Sequence, residues 1–338
     1  MNALILHDLI PPDAPLDSAD ALVQARLFEE HLREQGHSAT TLGVGLNLTP
    51  ALGALHHADL VVNLVESLGG RGHLIHLVPT LVESMGLPIT GCSAQSIAET
   101  SNKLAAKAVM RESGLPTPEW CTAGSHAPEE GRWIVKSVWE HASIGLGPDS
   151  ILDAAERGLH RAIAEAAPRL GGLAFAERFI EGREFNLSII ETDLGPTVLP
   201  PAEIQFVGFG PGKPRIVDYA AKWREDSYEY HHTPRLFEFK PADAGLLTRL
   251  RSLALRCWDE FALSGYARVD FRVDELGRPW ILEINTNPCL SPDAGFMAAV
   301  ERAGLTTPDA LDAILAAATR QSGQPEPHDP DQLRIQFG

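Results

Sequence analysis

Long apolar runs are the plainest absence in this sequence: no segment approaches the roughly 18 consecutive apolar residues of a membrane-spanning helix, which leaves no candidate span. Cysteine is scarce and unpaired by spacing. Cys92, Cys121, Cys257 and Cys289 form no C-x-x-C and no metal-finger pattern, so a reducing interior is the simpler expectation. Positive charge is also short: 28 Lys and Arg stand against 45 Asp and Glu, a formal charge of −17. That balance argues against a nucleic-acid or anionic-membrane partner, both of which need basic surface, and means that any anionic ligand requires a locally positive site. The first residues, MNALILHDLIPPDAP, have neither the basic start nor the long apolar core of a secretory signal, and a cytoplasmic location is expected. No internal repeat and no sustained heptad is present.

What is present is a 338-residue chain with 44% hydrophobic residues, enough for a sizeable core and two or three compact domains. Its most informative stretch is Gly265 to Asn287, GYARVDFRVDELGRPWILEINTN, which reads as two strands and a turn. Alternation puts Arg268, Asp270 and Arg272 on one face of the first strand and Val269, Phe271 and Val273 on the other. In the second strand Trp280, Leu282 and Ile284 share the apolar face, and Glu283 and Asn285 the polar one. A four-residue loop at Glu275–Arg278 pairs Asp274 with Pro279, Asp270 with Glu283 and Arg268 with Asn285. The converging oxygens suit Mg2+, which binds through one or two carboxylates plus phosphate oxygens; the alternative is a solvated polar face on an ordinary hairpin.

Arg-Val-Asp followed by Leu-Glu-Ile-Asn-Thr-Asn-Pro resembles the metal-binding end of ATP-grasp enzymes, and most closely the D-alanine:D-alanine ligase branch. The resemblance implies that Asp270, Glu283 and Asn285 hold Mg2+ (Mn2+ being an alternative) on ATP, and that Arg268 contacts the transferred phosphoryl group.

In the first third, the apolar runs at Asn2–His7 and Asp59–Leu64, helix formers at Ala21–Arg33 and Leu74–Met85, and an extended piece at Gly86–Gly91 suggest a small parallel sheet covered by helices. Asp17, Asp20 and Gln24 sit at the start of the first helix, where acidic residues favour the dipole. Glu66, Ser67 and a glycine-rich loop to His73 follow a strand, a position where loops often line a site. The ligases carry His-Gly and Gly-Glu-Asp-Gly there. His73 and His76 read as surface histidines.

In the middle third, Ser101 to Lys107 opens a helix ending at Gly114. Lys103 opposes the helix dipole and needs a partner; the resemblance makes it a phosphate contact. Trp133–Val138 reads as a strand containing Lys136, again a phosphate lysine by resemblance. The segment Glu140–Gly147 is a plain turn on its own terms. It resembles the phosphate-covering loop of the family, with His141-Ala142-Ser143 in place of Gly-Ser-Ser, which makes Ser143 a catalytic candidate. Leu173–Ile180 is another strand; the resemblance places adenine on Glu177, Arg178, Phe179 and Ile180, and a ribose hydroxyl on Glu184.

In the last third, residues 204–234 are aromatic and irregular, as a lid is. Asp218 to Trp223 (DYAAKW) resembles the ligases' DYxAKY, implying that Lys222 approaches ATP and acts in catalysis, while Trp223 replaces a tyrosine hydroxyl by a donor-only indole. Leu246–Phe261 is an amphipathic helix. After the hairpin, Cys289 stands for a glycine and Ala294-Gly295 for the ligases' serine-leucine; Cys289 is a pocket residue, since no base at a defined spacing accompanies it. Gln321–Gly338 reads as a loose tail.

The expected architecture is therefore α/β and α+β of the ATP-grasp type. It has an N-terminal parallel α/β substrate domain (1–95), a central lid domain (96–176), a C-terminal antiparallel-sheet catalytic domain (177–320) and the tail (321–338). The implied function is an ATP-dependent carboxylate-amine ligase that forms an amide or dipeptide through an acyl phosphate. A small carboxylate and an amino acid or amine are the substrates, met at Asp20, Glu66, Trp223, Cys289 and Ala294. A homodimer stands as an open expectation. The departures from the ligase pattern favour a specialised biosynthetic pathway; the alternatives are a D-alanine:D-alanine ligase, a non-catalytic ATP-binding regulatory protein, or a kinase-like transfer that stops at the phosphorylated product.

Overall fold

The computed structural model describes residues 1–10, 16–125, 130–140, 143, 145–153, 158–210 and 212–322. Expectations on His141, Ala142, the Asp17 side chain and residues 323–338 lie outside that set. Gln321 and Ser322, expected in the tail, instead complete the last helix.

The N-terminal part runs β1 (Asn2–Asp8), α1 (Leu16–Glu34), β2 (Ser38–Val44), α2 (Thr49–Leu55), β3 (Leu60–Leu64), α3 (Leu77–Ser84), α4 (Ala94–Ser101) and α5 (Lys103–Glu112). Its three strands form a parallel sheet in the order β2-β1-β3. The extended piece expected as a third strand at Gly86–Gly91 is reduced to a single bridge, Val61 to Ile89. The strand that fills the sheet is β2, SATTLGV, whose mixed polar and apolar residues conceal it because it is a half-exposed edge.

The middle part contains β4 (Trp120–Cys121), β5 (Arg132–Ser137), β6 (Ile151–Asp153), α6 (Leu159–Ala166) and β7 (Ala174–Arg178). They make a four-stranded antiparallel sheet, β4-β7-β5-β6. The rest comprises β8 (Arg183–Thr192), β9 (Gly195–Val198), β10 (Ala202–Ile204), α7 (Tyr219–Trp223), α8 (Tyr228–His231), β11 (Arg235–Leu236), α9 (Ala244–Glu260), β12 (Tyr266–Val273), β13 (Pro279–Asn285), α10 (Gly295–Arg302) and α11 (Thr307–Ser322). Its antiparallel sheet runs β11-β10-β8-β12-β13, with β9 paired to β8. The stretch expected as an irregular lid thus carries two short helices, capped by the side chains of Asp218 and Ser227.

The large sheet buries one face, with Leu187, Val269, Phe271 and Ile281 packed on Met110 of α5 and Ala254 of α9. The opposite face is polar from Arg268 to Arg272, where it meets the four-stranded sheet across a cleft, and apolar at Ile190 and Tyr266. Gly182 makes the turn between the two sheets possible, because at φ +137° any Cβ would lie 2.0 Å from the Val273 carbonyl oxygen. None of the described helices is long and apolar enough to cross a membrane.

Candidate functional site

Between the two antiparallel sheets lies a cleft of about 440 Å³. Every one of the sequence-assigned site residues lines it: Asp20, Glu66, Lys103, Lys136, Ser143, Glu177 to Ile180, Glu184, Lys222, Trp223, Arg268, Asp270, Glu283, Asn285, Cys289 and Ala294. Its floor is three neighbouring strands read in rungs. One rung is Asn186–Asp270–Glu283, the next Ser188–Arg268–Asn285, and on the other side Glu184 stands opposite Arg272. Period-two alternation along β8 and β12 aims these polar side chains into the cleft.

The hairpin departs from a regular ladder. Arg268 opposes Asn285 and Asp270 opposes Glu283 as expected, but a bulge follows, so Phe271 faces Ile281 and Val273, not Asp274, faces Pro279. Leu282 is the extra residue. It lines the cleft beside Glu283, and Ile281 takes the core position that alternation assigned to Leu282 and Trp280. The expected apolar face of the second strand is corrected accordingly, and the turn lengthens to Asp274–Arg278, closed by the Asp274 amide donating to the Arg278 carbonyl at 3.0 Å.

Charges in the cleft are coupled. Arg268 makes a two-pronged contact with Asp270, Nε–Oδ1 2.7 Å and Nη2–Oδ2 2.9 Å. Burial works against its charge, but Asp270 and then Glu283 outweigh it and raise its pKa. Asn186 donates to Asp270 Oδ1 at 2.7 Å. Lys103, at the first turn of α5, finds the partners that its place on the helix dipole demands: its ammonium donates to the Glu140 carbonyl at 2.7 Å and lies 3.8 Å from Glu283. Burial nevertheless lowers its pKa against the pull of Glu283.

At the other end, Glu177 is 1% exposed and sits between two ammonium groups, Lys107 at 2.7 Å and Lys136. Burial alone would raise the Glu177 carboxyl, yet Lys107 and Lys136 together hold it below the usual range. Burial raises Glu184, with Arg272 at 3.0 Å opposing. Ser143 donates to the Val217 carbonyl at 2.9 Å, tying its loop to the segment before α7. Cys289 donates through its thiol to Asp20 Oδ2 at 3.0 Å, and Ser291 to Asp20 Oδ1 at 2.9 Å. Burial and then the Asp20 charge push the Cys289 thiol well above its ordinary value, so it stays protonated and is no nucleophile.

Among the described residues no three His, Cys, Asp or Glu side chains cluster as a complete metal site. Two carboxylates and an amide oxygen on adjacent rungs nevertheless fit Mg2+, whose remaining ligands are water and phosphate oxygens. Sequence reasoning missed Lys107, Asn186, Leu282 and Arg235, and gave Arg272 no role. Lys107 follows Lys103 by four residues on the buried face of α5, a signal that was available. Asn186 follows Glu184 at strand spacing. Leu282 is hidden by the bulge, and Arg235 reaches the cleft from an edge strand of two residues that no periodicity announces.

A family model described as D-ala D-ala ligase C-terminus matches residues 109–316. A D-alanine--D-alanine ligase of Ectopseudomonas mendocina is 30% identical over 76% of this chain and 77% of its own. The protein y4sG of Sinorhizobium fredii, named as uncharacterized, is 28% identical over 78% of this chain and 76% of its own. Among solved structures, that of a D-alanine--D-alanine ligase from Bacillus anthracis complexed with ATP superposes with a TM-score of 0.72 at 19% identity, over 95% of this chain and 98% of the other. The fold is thus the mixed α/β fold of ATP-grasp ligases.

Proposed function

Because the chain belongs to the D-ala D-ala ligase family of ATP-grasp, carbon–nitrogen bond-forming ligases, we propose that it joins a small carboxylic acid to an amino acid through an acyl phosphate, releasing ADP and phosphate. The observation that carries this reading is the convergence of Arg268, Asp270, Glu283 and Asn285 on two adjoining rungs of the β12–β13 ladder.

Asp270, Glu283 and Asn285 are the residues that would hold Mg2+, or Mn2+ in its place, and the ion when bound neutralises phosphate charge. Lys103, Lys136 and Lys222 offset the remaining charge of the triphosphate. Glu177 to Ile180 form the base end of the cleft, and Glu184 meets the ribose. A donor carboxylate oxygen bonds to the γ-phosphorus as ADP leaves; the amine then bonds to the acyl carbon, phosphate departs and the nitrogen loses a proton. Arg268 stabilises the migrating phosphoryl group and then the oxyanion of the adduct, so positioning and electrostatics carry both steps. Ser143, anchored on Val217, ties its own segment to the lid. Together with the segment carrying α7 and α8 it keeps out the water that would hydrolyse an acyl phosphate.

We assign the substrates to a class other than two D-alanines, in a specialised pathway. Support comes from lining residues that depart from the ligase pattern: Glu66, Trp223, Ala294 and a thiol bonded to Asp20. A matrix of amino acids and small acids scored by phosphate release, with mass spectrometry of the products, tests this. Turnover of D-alanine alone at an enzyme-like rate of about 1 s⁻¹ or more would overturn the specialised assignment. Absence of ADP with every pair would overturn the ligase reading.

A further inference from the structure

The cations lining the cleft differ in what they face. Lys136 is spent on Glu177, Arg268 on Asp270, Arg272 on Glu184, and Lys103 lies near Glu283. Among the described residues, Arg178, Lys222 and Arg235 are the lining cations with no carboxylate within 4 Å. Arg178 belongs to the base end, donating to the Glu130 carbonyl at 3.0 Å. Lys222 is already assigned to the triphosphate in the ligase reading. Arg235 stands at the opposite end.

Arg235 is exposed along the cleft and is carried by β11 opposite Ile204, itself a lining residue. Its guanidinium donates to the Asp293 carbonyl at 2.9 Å. It packs against Gly295, where a Cβ would meet Nε at 3.2 Å, so the absence of a side chain there gives it room. Burial of its head group and then the nearby charge of Arg268 disfavour its own charge. Two guanidinium groups therefore share one end of the cleft, and the Asp293 carboxylate, which favours the Arg235 charge from beyond 4 Å, does not outweigh burial and Arg268. A planar fork with donors to spare suits a carboxylate bound through two hydrogen bonds.

Resting on the ligase reading above, we propose that Arg235 selects the amine substrate: it takes the carboxylate of an amino-acid acceptor, so that amino acids are used and their amides are not. The donor carboxylate is a poorer occupant, because it loses its charge when the acyl phosphate forms and an arginine clamped on it would have to let go. The acceptor's carboxylate keeps its charge through both steps.

The test compares wild type, Arg235→Ala and Arg235→Lys with Mg-ATP, scoring ADP release over the amino-acid panel and then over the primary amide of each accepted amine substrate. Arg235→Ala is expected to raise KM for the acceptor about 10- to 100-fold, the loss of one charge-assisted contact, and to abolish the preference for acid over amide. KM for ATP and for the donor should stay within about twofold, and Arg235→Lys should keep part of the preference. An unchanged acid-over-amide ratio in Arg235→Ala overturns the proposal, and a KM change confined to the donor overturns the assignment to the acceptor. Silence of wild type with every pair is a different result, since it removes the ligase reading itself.

Discussion

Two carboxylates in the cleft have opposite burdens, and substitution separates them. Glu177 is paired with Lys107 and Lys136 in a nearly closed interior. Replacing it by glutamine leaves the buried Lys107 ammonium and the half-buried Lys136 facing an amide, and loss of one partner of a buried pair costs about 3–5 kcal/mol. Urea denaturation of Glu177→Gln should therefore show a large drop in stability at neutral pH. Because the folded-state pKa of Glu177 is depressed, its contribution is complete above the unfolded value of roughly 4.3. It is lost as pH falls through the lower folded value. The gap between wild type and Glu177→Gln should thus narrow in acid, and a gap independent of pH would refute the pairing. Asp270 carries a chemical burden instead. Asp270→Asn should fold, yet lower kcat/KM for ADP release by about 100- to 1000-fold, the scale of losing one preorganised electrostatic partner, and shift the Mg2+ requirement upward in a titration.

At the scale of elements, the β12–β13 hairpin shows what alternation can and cannot disclose. The rungs that bring Asp270 to Glu283 and Arg268 to Asn285 were legible because a two-residue period fixes faces and partners near any correctly paired position. The bulge at Leu282 was not, because inserting one residue changes no composition and both Leu282 and Ile281 are apolar. The same limit hid β2, whose exposed edge has no continuous apolar run, and Arg235, whose strand is too short to have a period. Lys136 was legible for the opposite reason: a lysine inside WIVKSV has no cheap place in a strand unless an anion faces it. Bulges beside active sites re-aim side chains, and this one sets two consecutive residues, Leu282 and Glu283, toward the cleft. Deleting Leu282 keeps Glu283 opposite Asp270 and Ile281 opposite Phe271, so the core register survives. The variant should unfold in one transition near the wild-type temperature while needing more Mg2+ for half-maximal ADP release. Loss of the folded state instead would show that the bulge serves the core.

Across the whole molecule the packing is uneven. The parallel sheet shares a core with the cleft-side face of the large sheet, beyond the polar rungs, in which Ile5, Leu60 and Val62 cluster with Tyr266, Phe296 and Ile314. The four-stranded sheet has its own smaller core of Trp133, Val135, Leu159 and Ile163. Across the cleft it is joined largely through polar links, among them Lys107 to Glu177, Lys103 to the Glu140 carbonyl and Ser143 to the Val217 carbonyl. Such links are the ones that a ligand spanning both sheets reinforces. A ligand that binds only the assembled cleft stabilises it by RT ln(1 + [L]/Kd), about 2.7 kcal/mol at a hundred times Kd. Mg2+ with a non-hydrolysable ATP analogue should therefore raise the melting temperature by a few degrees and slow amide exchange in β5 and β7, and the analogue with EDTA should do less. In Asp270→Asn the two conditions should converge, since the metal-dependent share of the clamp is lost. Equal stabilisation with and without Mg2+ in wild type would mean that the carboxylate pair on the large sheet takes no part in closing the cleft.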